Sequence, residues 1–87
     1  MWIFEYSNKF VRQYKNLSSQ LQEKVDSALI NLENSLNPLE IGIYKPSLKA
    51  FAYEIDKSNR IIYNVRFNDN TIELIRVGDH KQAYGKD

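Results

Sequence analysis

Apolar positions recur along this chain in two rhythms, and the change of rhythm divides it. The opening run Trp2, Ile3, Phe4, Glu5, Tyr6 is aromatic and β-branched, which predicts a strand, and Ser7 offers a side-chain oxygen to cap a helix behind it. Phe10, Tyr14 and Leu17 then fall at i, i+4 and i+7, one stripe of a short helix. A second helix is predicted to start at Ser18 or Ser19, where Ser19 and Gln22 match a capping box. Leu21, Val25, Ala28, Leu29, Leu32 and Leu36 form its apolar face, and Asn37-Pro38 ends it. With only residues 17–19 between them, the two stripes describe a helical hairpin with one shared apolar side.

From Pro46 onward the period is two. Phe51, Tyr53 and Ile55 alternate with Ala52, Glu54 and Asp56; Ile61, Tyr63, Val65 and Phe67 alternate with Arg60, Ile62, Asn64 and Arg66. Lys57-Ser58-Asn59 supplies the turn between them. A second turn at Asn68-Asp69-Asn70 leads into a strand from Thr71 to Val77, closed by Gly78. The fold class is therefore α+β in a single domain spanning residues 1–87. An N-terminal strand and a two-helix hairpin pack on one face of an antiparallel sheet completed by a C-terminal three-stranded meander.

Two layers leave one sheet face without helices. If Tyr53, Ile55, Ile61, Tyr63 and Val65 face the helices, then Glu54, Asp56, Arg60, Ile62, Asn64 and Arg66 face the open side. The last strand is ambiguous, because Ile72, Leu74 and Arg76 alternate with Glu73, Ile75 and Val77. Arg76 is placed on the open face because burying an unpaired guanidinium is costly. Charges at period two also serve simply to keep a sheet soluble, and Glu54 opposite Arg60 also fits an ordinary cross-strand ion pair. As exposed strand positions, these side chains are expected to add little to stability.

Composition narrows the chemistry. At 87 residues the chain buries only about 60% of its unfolded surface, so it builds one modest core. It has no cysteine, which removes disulfides and thiolate metal sites and fits a cytoplasmic protein. No run of 18 apolar residues and no leader-like N-terminus implies membrane insertion or secretion. One histidine, His80, does not make a zinc site, and Gly42, Gly78 and Gly85 are too scattered for a phosphate loop. No metal or cofactor is expected, so any catalysis must use bare acid, base and cationic side chains. The net charge is only +1, but residues 44–87 carry eight basic and six acidic side chains against four and five in residues 1–43, which places any anionic ligand on the second half.

Three segments, in order, resemble the RelE/ParE superfamily of toxins from type II toxin-antitoxin systems over nearly the whole chain. They are Tyr6 to Leu17 (YSNKFVRQYKNL), Lys45 to Val65 (KPSLKAFAYEIDKSNRIIYNV) and Ile75 to Tyr84 (IRVGDHKQAY). The resemblance implies a ribosome-dependent endoribonuclease that cleaves mRNA, with the ribosome, mRNA and a cognate antitoxin protein as partners. Arg60 matches the arginine that contacts the scissile phosphate, His80 falls where members carry Arg or His, and Tyr84 matches the tail tyrosine that stacks on or orients a base. Glu54 and Asp56 stand where some members place lysines, so Glu54 is assigned as base, Arg60 and Arg76 as cations and His80 as acid. Lys45, Lys49, Arg66 and Lys81 are the further cations assigned to RNA binding. Ala50 departs from the usual glycine. A ParE-like inhibitor of DNA gyrase and a catalytically inactive binding domain share the fold, so both stay open at this point.

Overall fold

In the computed structural model the described residues are 2–84, Tyr84 by its backbone alone. Strand β1 (Ile3–Tyr6) leads into helix α1 (Asn8–Lys15), whose cap Ser7 accepts a hydrogen bond from the Phe10 amide at 3.0 Å. Helix α2 (Ser19–Asn34) is capped by Ser18, which accepts from the Leu21 amide. The expected Ser19–Gln22 box does not form, since the Gln22 side-chain Nε2 donates instead to the Tyr14 carbonyl and staples the hairpin shut. Ser35 takes an extended conformation and ends α2 one residue before Leu36, which is therefore 99% exposed rather than part of the helical stripe. A 3-10 turn (Pro38–Ile41) follows, with Asn37 capping the Leu39 amide.

Among the described residues five strands make the sheet. A three-residue strand β2 (Ile43–Lys45), too short to leave a periodic signal, pairs with β3 (Ala50–Glu54); β4 (Asn59–Arg66) and β5 (Thr71–Asp79) complete the meander. The order is β1-β5-β4-β3-β2. Contrary to the purely antiparallel expectation the sheet is mixed: β1 lies parallel to β5, with Ile3 opposite Thr71 and Tyr6 opposite Leu74. The connection through the helices carries the chain from one sheet edge to the other, and the three hairpins from β2 to β5 bring it back beside β1.

The helix-facing core holds Phe10, Val25, Ala28 and Leu32 from the helices against Ile61, Tyr63, Ile72, Leu74 and Val77 from the sheet. That Ile72, Leu74 and Val77 share one face breaks simple alternation. A β-bulge does this: Ile62 opposes Arg76 and Tyr63 opposes Leu74, leaving Ile75 as the extra residue. The bulge resolves the ambiguity of the last strand and turns both Ile75 and Arg76 to the far face. Strand β5 also runs through Gly78 to Asp79 instead of ending at Val77, and Phe67 lies in a 3-10 turn (Phe67–Asp69) instead of continuing β4.

The far face is not left open. After β5 a short helix α3 (His80–Tyr84) folds over it, and Ala83 buries against Ala50, Ala52 and Ile62, with Leu48 and Ile75 at the margin. Ile62 is 1% exposed, so this part of the face is a small second core. The helix is locked at its start by a reciprocal pair: the Gln82 amide donates to Asp79 Oδ1, and the Asp79 amide donates to Gln82 Oε1, each at 3.0 Å.

Candidate active site

The residues expected to act chemically fall in two groups on the far face. One group lies where β3 ends, β4 begins and β5 ends. Glu54 is in register with Arg60, Arg60 with Gly78, and His80 follows two residues later at the start of α3. Arg76 lies along the same face in register with Ile62. Strand pairing thus brings Glu54, Arg60, Arg76 and the His80 backbone to one end of the sheet, although they are spread over 27 positions of sequence.

Within this group the arginines differ. Arg60 is 20% exposed, and its Nη1 donates to the backbone carbonyls of Asp56, Lys57 and Asn59 at 3.1, 3.3 and 3.2 Å. Its Nη2 lies 3.6 Å from Glu54 Oε2, whose side chain is 60% exposed. The guanidinium therefore ties the β3–β4 turn together as well as marking the face. Asp56, expected on that face, belongs to the turn itself: its Oδ1 accepts from the Ser58 and Asn59 amides and from the Asn59 side chain. Those donors hold its carboxyl below the usual carboxylate range, that of Ser58 most strongly.

Arg76 has the opposite character. Its Nη1 is buried without a hydrogen-bond partner among the described residues. A guanidinium nitrogen held away from water without an acceptor is costly to the fold and suited to an incoming anion. His80 and Lys81 are exposed on α3, and the ring of Tyr84 lies outside the described residues.

The second group lies toward the other end. Arg66 is enclosed by Glu5 of β1, Glu73 of β5 and Asp69 of the turn. Hydrogen bonds to these carboxylates raise its own pKa, and in return they lower those of Glu5 and Asp69. Three acids on one cation leave a locally negative surface, so Arg66 acts here as a tether among β1, β4 and β5. Lys49 is exposed in the left-handed region (φ 53°), and its carbonyl accepts from the Asn64 side chain. The residue needing positive φ is thus Lys49, and Ala50 occupies an ordinary buried strand position where glycine is not required. Lys45 ends β2 at the edge of the sheet.

Sequence reasoning passed over two residues that shape this face, Gln13 and Gln82. For Gln82 a signal was present, since Asp79-His80-Lys81-Gln82 has capping-box spacing. No cluster of three His, Asp or Glu able to hold a metal occurs among the described residues, and none of their helices is long and apolar enough to cross a membrane.

No protein-family model and no curated protein sequence matches the chain. Solved structures do. A chain of the intact E. coli RelBE toxin-antitoxin complex aligns with a TM-score of 0.76 at 15% identity, covering 94% of this chain and 100% of that one. The archaeal RelE-RelB complex from Pyrococcus horikoshii gives 0.69 at 15%, covering 99% and 98%. The YoeB-YefM complex from Staphylococcus aureus gives 0.69 at 20%, covering 92% and 98%. At these identities the likeness is one of fold.

Proposed function

We propose that this chain, which has the fold found in RelE and YoeB complexes, is the toxin of a toxin-antitoxin pair and cleaves ribosome-bound mRNA. The observation that carries the reading is the far face: a buried guanidinium nitrogen on Arg76 without a hydrogen-bond partner among the described residues, on the same sheet face as the Glu54–Arg60 pair. A face built only for solubility has no reason to hold a cation out of water without an acceptor.

The chemistry these groups support is transesterification. The 2′-oxygen of a ribose attacks the adjacent phosphorus, and its proton passes to the Glu54 carboxylate. The P–O5′ bond breaks as the 2′,3′-cyclic phosphate forms, and His80 gives a proton to the departing 5′-oxygen. Arg76, together with Arg60, offsets the charge that gathers on the phosphoryl oxygens; a guanidinium fork suits this because it donates two hydrogen bonds at once. Lys45, Lys49 and Lys81 are assigned to longer-range attraction of the RNA backbone. The face depends on the ribosome to hold the strand and bend the 2′-oxygen into line. Tyr84 is assigned to base stacking.

The cognate antitoxin is an extended or amphipathic segment that folds as it binds. The experiment is single-turnover incubation of the purified chain with mRNA alone and with the same mRNA on programmed ribosomes, alongside a gyrase supercoiling assay. Cleavage that requires ribosomes, with supercoiling unaffected, supports the reading. Inhibited supercoiling without cleavage replaces it with gyrase inhibition, and neither effect leaves a binding domain.

A further inference from the structure

Strand β1 stops pairing at Tyr6 opposite Leu74, yet β5 continues to Asp79, so among the described residues the outer edge of its last five residues has no strand neighbour. Polar side chains occupy that edge instead. Ser7 Oγ donates to the Ile75 carbonyl at 2.7 Å, Gln13 Oε1 accepts from the Val77 amide at 2.9 Å, and Gln82 Oε1 accepts from the Asp79 amide at 3.0 Å. The other half of the Gln13 amide turns to the helix: its Nε2 donates to the Gln82 carbonyl at 3.1 Å. One half-buried side chain of α1 therefore holds both the strand that carries Arg76 and the helix that begins with His80.

We propose that Gln13 is a positioning residue of the catalytic face, clamping α3 so that His80 and Lys81 keep their placement relative to Arg76. The helix needs such a clamp. Five residues do not sustain a helix in water, and among the described side chains the apolar anchor α3 brings to the second core is the methyl of Ala83. The contact is also close. Gly78 (φ 143°) lies directly under Gln82, and a Cβ at that position would sit 2.8 Å from the Gln82 Cβ and overlap its Oε1. A planar amide suits the place because it accepts from the strand and donates to the helix at once. A carboxylate of the same shape keeps the first bond and turns the second into a repulsion between two oxygens.

The catalytic half of this inference rests on the nuclease reading; the clamp itself does not. The test compares wild type with Gln13→Glu, and with Gln13→Met, which keeps the apolar stem and loses both bonds. Amide exchange is read by NMR, and kcat and KM on programmed ribosomes are read separately. The expected result is that exchange protection at Gln82 and Ala83 falls about tenfold in both variants while that of Ile61 to Tyr63 changes less than about twofold, as for a local opening. With it, kcat falls about tenfold at nearly constant KM, as when an interaction made only in the transition state is lost. Unchanged protection at Gln82 and Ala83 overturns the clamp, and lost protection with wild-type kcat overturns its catalytic role. If the wild type itself does not cleave, the nuclease reading fails and takes the catalytic role with it, while the exchange data still decide the clamp.

Discussion

Replacing Arg60 separates two roles that the structure joins in one side chain. Nη1 is shared among three carbonyl acceptors at 3.1 to 3.3 Å, so its two hydrogens make the equivalent of about two charge-assisted bonds, not three. The pair with Glu54 adds at most a few tenths of a kcal/mol, because the carboxylate is 60% exposed and 3.6 Å away. Allowing for the water that replaces the guanidinium, Arg60→Ala should cost about 2 kcal/mol. For a domain of this size that lowers Tm by roughly 8–16 °C, well above what an exposed strand position ordinarily costs. The assay is thermal unfolding followed by circular dichroism, with cleavage on programmed ribosomes measured at 25 °C, where the variant is still folded. There the rate should fall by about two to three decades, as for removal of one electrostatic stabiliser of a transition state. A lowered Tm with a wild-type rate would reduce Arg60 to a brace for the turn. An unchanged Tm would refute the carbonyl network on which the estimate stands.

Arg76→Met should do the reverse, holding or raising Tm because an unpartnered buried donor is removed, while cleavage drops by about two decades; a clear loss of stability would show that the guanidinium has structural partners. Gly42→Ala is conformationally neutral (φ −118°, ψ 170°), but its Cβ would overlap the hydroxyl of Tyr63 and sit 2.9 Å from Cζ. With that ring buried and its hydroxyl donating to the Pro38 carbonyl, the cost is about 1–3 kcal/mol, and urea unfolding of the double variant with Tyr63→Phe should show less than additive loss. Stability should fall in acid. Hydrogen bonds from Arg66 lower the Glu5 and Asp69 carboxyls, and those from Ser58 and Asn59 lower Asp56. Depressed folded values mean that the contribution is complete above the unfolded values of 4.5 and 3.8 and is lost as pH falls through the folded ones. Arg66→Met should flatten the Glu5 and Asp69 part of that acid limb in a Tm against pH series.

Much of the architecture was legible because periodicity is a direct consequence of burial. The stripe containing Val25, Ala28 and Leu32, and the alternation through Ile61, Tyr63 and Val65, each report one covered face. What escaped was set by non-local geometry. Nothing near Ile3 to Tyr6 says that its partner is Thr71 to Leu74 in parallel, and no local pattern marks Ile75 as the extra residue of a bulge. The face was legible for Glu54 and Arg60 through the period of two, and for Arg76 only through the cost of burying a guanidinium. Occupancy was not: that Arg60 would be satisfied by turn carbonyls, Arg66 by three carboxylates and Arg76 Nη1 by no group among the described residues depends on distances that strand pairing sets. Helix α3 was hidden because five residues, with Ala83 the buried one among the described side chains, carry no stripe.

The most direct measurement of the central claim is the chemistry of the RNA ends left on ribosome-bound mRNA. Attack by the 2′-oxygen predicts a 2′,3′-cyclic phosphate on the upstream fragment and a free 5′-hydroxyl on the downstream one. Both ends should fall together, by about two decades in rate, when Arg76 is replaced. Fragments ending in a 3′-hydroxyl and a 5′-phosphate, or intact mRNA after prolonged incubation with the folded protein, would contradict the account.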